Sequence, residues 1–447
     1  MATVIEQETE FEKSLFIFRR DLRLFDNTGL FKALQRSQAV IPCFILDPVQ
    51  LQPHPYQSPA ALTFMKESLE DLMHQLQQHG GRLFVCSGSP DRVVESLIQE
   101  VGIDAVFCNK DYTPFSQKRD QGLLDVCERH RIAFCSYHDS LLQPPGRVVK
   151  KDGNPYSVFT PFFKCASQIT VPLPEKVTQP VFYQKEIHDP CIADLRVLHE
   201  VSSFQSPLKG GRSRALDLLG NSKIHLNYSK NRDIPEYSAT TKLSPHHKFG
   251  TCSIREVYHD FKNALGLQHP LIRQLYWRDF FTHIAYFYPH VFGHAFRLKY
   301  DQIEWNGTAE HFDVWCQGKT GFPIVDAGMR EMNATGYMHN RLRMITASFL
   351  VKDLHVDWRK GERYFAQKLV DYDPCVNNGN WQWAASTGCD AQPYFRIFNP
   401  ALQQKRFDPQ EHYIQKWVPE YHRSNYLKPI VDHKSQSQIA KILFKEI

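Results

Sequence analysis

No C-x-x-C pair occurs in this chain, although it holds 11 cysteines. Scattered thiols of odd number argue against a disulfide framework and read as reduced cysteines of a cytoplasmic protein. The missing spacing also counts against a zinc site or an iron–sulfur cluster, so no metal is expected. No apolar run approaches the roughly 18 residues that would suggest a membrane span. There is no internal repeat and no low-complexity tract. The opening residues, MATVIEQETEFEK, lack an apolar core and read as a solvated tail rather than a leader. Charge is nearly balanced, 53 basic against 48 acidic residues for a net +5, which permits a phosphate-binding face without requiring one.

What is present is an aromatic-rich chain of 447 residues, 42% hydrophobic and 13% aromatic, long enough for two or three domains. Short β-branched and aromatic runs begin at SLFIF and continue through AVIPCFIL, RLFVCSG, DAVFCN and IAFCSY. Helical apolar spacing fills the gaps, so residues 14–137 predict an α/β domain with a parallel sheet. No G-x-G-x-x-G opens its first helix, and a pocket there is expected at the carboxyl ends of the strands. Residues 138–205 are proline-rich and read as an ordered connector. From residue 206 to 447 long amphipathic patterns predict a helical domain.

Two blocks in the helical half stand out. Residues 377–400, NNGNWQWAASTGCDAQPYFRIFNP, set two tryptophans about one glutamine among Asn, Gly and small residues. Such aromatic faces suit a flat ligand, a nucleobase or a cofactor ring, and equally a buried pair between helices. In YMHNRLRMITASFLVKDL, residues 337–354, Asn340, Arg343 and Met344 share one helical face. A positive charge there near Asp371 or Asp373 would keep a carboxylate ionised, either as a structural ion pair or beside a charged ligand. Residues 240–245, TTKLSP, place three hydroxyls before a helix, which fits a pyrophosphate site or a plain cap. Trp305, Trp358 and Trp381 are linked by no periodicity and read as core or rim residues.

Together these blocks resemble the photolyase/cryptochrome family of flavoproteins, in particular its class I cyclobutane pyrimidine dimer branch. The likeness covers about residues 14–430 and is strongest over 271–400. It implies a Rossmann-like antenna domain followed by an all-α FAD-binding catalytic domain. FAD would be held by Tyr228, Thr240, Thr241, Lys242, Leu243 and Ser244, with Arg343 and Asp371 paired beside the flavin, Asp373 at its edge and Asn377 facing N5. Trp381, Trp358 and Trp305 fall on the family's electron-transfer triad. Trp277 and Trp383 would flank a pyrimidine dimer extruded from UV-damaged DNA, with Gln274, Asn340 and Met344 completing that pocket. Arg232, Arg278, Arg341, Arg396 and Gln403 would contact phosphates or the lesion rim.

The implied activity is a light-driven carbon–carbon lyase, in which reduced FAD passes an electron to the dimer and recovers it after the ring opens. A second, antenna chromophore is expected in the first domain, where FRRDLRLFDN (18–27) and NKDYTPFSQKRD (109–120) match the family pattern. A folate, a deazaflavin and a flavin stay open, since Thr113 stands where folate-binding relatives often have Glu. Gln274 departs from the Glu of familiar bacterial enzymes and also occurs in enzymes for the 6-4 photoproduct. Those enzymes carry paired histidines where this chain has His339-Asn340. Plant cryptochromes tend to carry Asp at the position of Asn377, and animal ones Cys; an amide serves N5 as donor or acceptor. A photoreceptor without repair is therefore the further alternative, disfavoured by Asn377 and by the lack of a long Ser/Gly-rich extension. A cytoplasmic monomer without an obligate protein partner is expected.

Overall fold

The computed structural model describes residues 9–176, 179–198, 204–424 and 426–447. Much of the expected tail lies outside them, but its end is strand: β1 runs over Phe11–Phe18. The strand starts early because the Asp104 carboxylate accepts the backbone N–H groups of Glu12 and Lys13, at 2.9 and 3.0 Å. With β2 (Ser37–Leu46), β3 (Phe84–Ser87), β4 (Ala105–Asn109) and β5 (Ala133–Tyr137) it forms one parallel sheet in the order β3-β2-β1-β4-β5. Helices of eight or more residues are numbered in chain order. Four of them cross between the strands: α1 (Thr28–Arg36), α2 (Pro59–Gln78), α3 (Pro90–Val101) and α4 (Pro114–His130). Side chains of Asn27, Ser58 and Thr113 cap α1, α2 and α4. Helices cover both faces of the sheet, so Leu15 and Ile17 enter one core while Phe16 and Phe18 enter the other.

Strand order reverses between β1 and β4, where an open α/β sheet offers a crevice. Here the helical half of the chain fills it. Leu22 N–H donates to the Phe249 carbonyl at 3.1 Å. Gly250, at φ +63°, comes so close that a Cβ would sit 2.0 Å from the Arg20 carbonyl oxygen. Four buried charges lock the junction: Arg23 to Asp139 at 2.6 Å, Arg255 to Asp139 at 2.8 Å and Arg255 to Asp26 at 2.9 Å. Burial alone would disfavour the Asp139 charge, but the two arginines hold its carboxyl well below the usual range. FRRDLRLFDN, read as an antenna signature, thus supplies the joint between the domains.

The connector wraps the sheet edge. Residues Val181 and Tyr183 pair with Val40 of β2, and Cys191 and Ala193 pair with β3. It also contains α5 (Phe159–Ala166), a helix that its proline-rich surroundings hid. The rest is helical: α6 (Arg212–Leu219), α7 (Ile254–Leu265), α8 (Pro270–Phe287), α9 (Ala309–Gln317), α10 (Pro323–Thr335), α11 (Asn340–Lys352), α12 (Trp358–Lys368), α13 (Pro374–Ala385), α14 (Pro400–Phe407) and α15 (His433–Lys445). An α/β domain followed by an all-α domain is the architecture expected. Among the described residues no helix is long and apolar enough to cross a membrane. Helix α13 packs against α8, α11 and α12, and this meeting of helices positions the site.

Candidate functional site

A cavity of about 310 Å³ lies between α8, α11 and α13. Tyr228 and the run Thr240, Thr241, Lys242, Leu243 and Ser244 form one wall. Gln274 and Arg278 enter from α8, Asn340, Arg343 and Met344 from α11, and Asp371, Asp373, Asn377, Trp381 and Trp383 from the start and body of α13. Helical spacing accounts for the α11 set and for Asn377 with Trp381, since residues three and four apart share a face. Lys242 holds φ +55°, a left-handed conformation uncommon outside Gly, so the turn facing the cavity is strained.

Asp371 is fully engaged. The Arg343 guanidinium donates to its two oxygens at 3.1 and 2.9 Å, and Ser244 Oγ donates at 2.6 Å. Bidentate pairing of this kind fixes direction as well as charge. Burial opposes the Arg343 charge, and Asp371 more than offsets it. Asp373 caps α13 by accepting Val376 N–H at 3.1 Å, and it pairs with Arg20, which arrives from the α/β domain. Arg20 also reaches Asp111 at 3.2 Å. Burial works against ionisation of Asp373, yet Arg20, Arg278 and Lys248 hold its carboxyl well below the ordinary range. Burial and the nearby Arg20 push Lys248, on the cavity wall, down to about 8. No local sequence signal joins Arg20 to Asp373, because domain docking alone brings them together.

Behind the wall, Asn377 Nδ2 donates to Glu362 Oε1 at 3.0 Å and to the Glu362 carbonyl at 3.2 Å. Burial pushes the Glu362 carboxyl up to about 7. The amide nitrogen is committed, so its oxygen remains as the acceptor for the cavity; the freely turning amide of the sequence reading gives way to a fixed one. Glu362 carried no sequence signal. Trp381 lines the cavity, Trp358 is fully buried and Trp305 is partly exposed, all within one apolar core. Trp381 meets Phe365 edge to face at 4.9 Å, and Trp305 meets Phe444 of α15 at 6.1 Å. Trp315, not singled out from sequence, is buried 6.2 Å from Trp381.

Of the residues predicted to contact the lesion or phosphate, Trp277, Arg232, Arg341, Arg396 and Gln403 do not line the cavity, whereas Arg278 does. Trp277 stacks on Phe159 of α5, with centroids 3.6 Å apart and planes 7° apart. Arg278 points inward, donating to the Ser140 and His247 carbonyls rather than standing on a rim. Arg341 is paired with Asp233 at 2.8 Å, and Arg232 lies over the Tyr228 ring at 5.8 Å. Gln403 sits half-buried on α14, and Arg396 is exposed ahead of that helix.

The donor set fits a flavin dinucleotide. Hydroxyls of Thr240 and Thr241 beside Lys242 suit a pyrophosphate, and Trp381, Phe365 and Leu369 give an apolar wall for a planar ring. His247 Nδ1 is buried on the cavity wall without a protein partner, and burial pushes this imidazole down to about 3, leaving it neutral. A neutral, unpartnered nitrogen is what a polar ligand atom would satisfy.

Comparison with known proteins agrees. Residues 271–425 match the FAD binding domain of DNA photolyase, and residues 14–179 match the DNA photolyase family. The chain is 35% identical to a deoxyribodipyrimidine photo-lyase of Synechococcus sp., over 97% of this chain and 96% of that one. A crystal structure of an archaeal photolyase from Sulfolobus tokodaii with two FAD molecules superposes with a TM-score of 0.88 at 42% identity, covering 97% of this chain and all (100%) of that one. A Synechocystis cryptochrome superposes as well, with a TM-score of 0.89 at 26% identity over 97% of this chain and 99% of the other. With both halves matched and near full-length relatives above 30% identity, the chain belongs to the DNA photolyase family.

Proposed function

We propose that the protein is a deoxyribodipyrimidine photo-lyase, repairing cyclobutane pyrimidine dimers in DNA by light through FAD. The observation that carries this is the pairing of Arg343 with Asp371 and of Asn377 with Glu362 around one cavity, in a chain that matches photo-lyases along nearly its whole length. When bound and reduced, FAD supplies the electron that light promotes to the dimer. The protein's part is placement and electrostatics. Arg343 keeps a positive charge beside the ring position while Asp371 fixes its direction. Asn377 presents an acceptor of fixed orientation. Trp381 on the cavity wall, the buried Trp358 and the partly exposed Trp305 would deliver an electron from outside.

Photolyases are a known example of enzymes that act on extruded bases, because the reacting bases must leave the stack. Trp383 offers a stacking face worth about 1–3 kcal/mol per base, and Gln274, Asn340 and Met344 line the same cavity. For the second chromophore the reading favours a flavin, as the Sulfolobus tokodaii photolyase holds two FAD molecules. Val49, exposed in the short helix after β2, Phe115, exposed in the first turn of α4, and Tyr56, stacked 6.2 Å from the cavity residue Tyr372, would form its groove. A monomer working in the cytoplasm completes the proposal.

The test incubates reduced protein with two oligonucleotides, one bearing a single cyclobutane thymine dimer and one a 6-4 photoproduct, in light and in darkness. Chromatography resolves the products. Light-dependent recovery of the first alone is expected. Recovery of the second alone moves the assignment to 6-4 repair, which Gln274 on the cavity wall would suit. No recovery with FAD bound turns it toward a photoreceptor.

A further inference from the structure

Two arginines stand beside the cavity and share one carboxylate. Arg341 follows the cavity residue Asn340 at the start of α11, and Arg232 lies over the ring of the cavity residue Tyr228. Asp233 accepts from Arg341 Nη2 at 2.8 Å and lies 4.0 Å from Arg232 Nε. The Arg341 guanidinium also rests on the Phe407 ring of α14 at 4.3 Å, with its side chain only 16% exposed. Arg232 and Asp233 are more open, at 38% and 34%. The group is therefore an Arg–Asp–Arg set, partly open to solvent, whose carboxylate cancels one of its two positive charges.

We infer that Asp233 sets the discrimination between damaged and undamaged DNA, by keeping Arg232 and Arg341 occupied until a phosphodiester is drawn into the cavity mouth. The inference rests on the repair reading above. An intact duplex meets this surface through phosphate charge alone, and that sequence-independent attraction is what an acidic neighbour weakens. A lesion brings stacking and hydrogen bonds from inside the cavity, and these compensate the disturbance of an ion pair whose carboxylate is partly open to solvent. Asp233 thus penalises the undamaged complex more than the damaged one. Its role is positional and electrostatic, since nothing places it against the reacting atoms.

Fluorescence anisotropy in darkness, with FAD-loaded full-length protein, tests this on two labelled duplexes, one with a single cyclobutane thymine dimer and one undamaged, across a salt series. Asp233→Asn is expected to bind the undamaged duplex several-fold more tightly at low salt. The slope of log affinity against log salt should steepen by about 1, as one more positive charge engages phosphate. The ratio of damaged to undamaged affinity should fall several-fold. Asp233→Glu should keep the wild-type ratio and slope. Melting curves and FAD content confirm an intact fold, and Asp233→Ser replaces the Asn variant if that one fails to fold. Neutral variants with an unchanged ratio and slope overturn the inference while leaving the repair reading intact. Wild-type protein with no preference for the lesion takes both down.

Discussion

Asn377 on the cavity wall donates to the Glu362 carboxyl behind it across 3.0 Å, and burial has pushed that carboxyl up to about 7. The fold favours the protonated acid, so the stability gained from it is fully present below the unfolded value near pH 4 and is lost as pH rises through about 7. Glu362→Gln mimics the neutral acid and still accepts from Asn377. It should exceed wild type in stability by on the order of 2 kcal/mol at pH 8 and match it at pH 4. Urea unfolding at the two pH values checks this; an equal difference at both would show that packing, not protonation, is responsible.

At Asp373 the sign is opposite. Despite burial, Arg20, Arg278 and Lys248 hold this carboxyl well below its ordinary range. Its contribution is present above about pH 4 and is lost as pH falls further. Asp373→Asn keeps a good cap for α13 but leaves Arg20 without this partner across the domain joint. A loss of about 3 kcal/mol at pH 7 is expected, the usual scale for breaking a buried pair. The difference should shrink at pH 3. A constant difference from pH 7 to 3 would rule out the ion pair as the cause.

These two pairs show where sequence reading reaches and where it stops. The five strands were legible because a parallel sheet covered on both faces demands continuous apolar runs such as SLFIF and AVFC. Asn340, Arg343 and Met344 were legible because helical spacing alone puts them on one wall. Arg20 and Glu362 were not, since their partners are set by the docking of domains and by the crossing of α12 with α13. Helix α5 was masked by prolines on either side, and with it the surface on which Trp277 stacks. The charged run FRRDLRLFDN was conspicuous, but only the closed joint shows that its arginines bind protein carboxylates.

Gly361 makes room for the Trp381 indole. A Cβ there would lie 2.3 Å from Trp381 Cη2 and 2.5 Å from Leu350 Cδ2. Both are packed core groups, so Gly361→Ala should cost about 1–3 kcal/mol through overpacking and tilt the indole. Trp381→Phe retains a ring and fills most of the space. If the tryptophan path carries electrons inward, the Phe variant should slow light-driven reduction of bound FAD by at least tenfold. Repair by chemically pre-reduced enzyme should hold near wild type. Transient absorption and a repair assay on the same sample separate the two, and equal loss of both would end the assignment of Trp381 to the path.

Gln274 lines the cavity that the proposed reading gives to the substrate. It lies on α8 one turn before Arg278, so the two face the cavity together. An amide offers one donor pair and one acceptor without a titrating proton, whereas a carboxyl offers a proton that can move. Gln274→Glu would place a carboxylate four residues before a guanidinium whose own pKa is lowered by burial and by Arg20. Attraction within that pair supports the ionised form of Glu and steadies Arg278, so folding and FAD content should remain near wild type. Repair of a cyclobutane dimer should stay the same or rise if residue 274 only contacts the bases. A fall of tenfold or more in single-turnover repair, with FAD content unchanged, would mean that the pocket is built around the amide, and the 6-4 photoproduct would then be the substrate to test with the same variant.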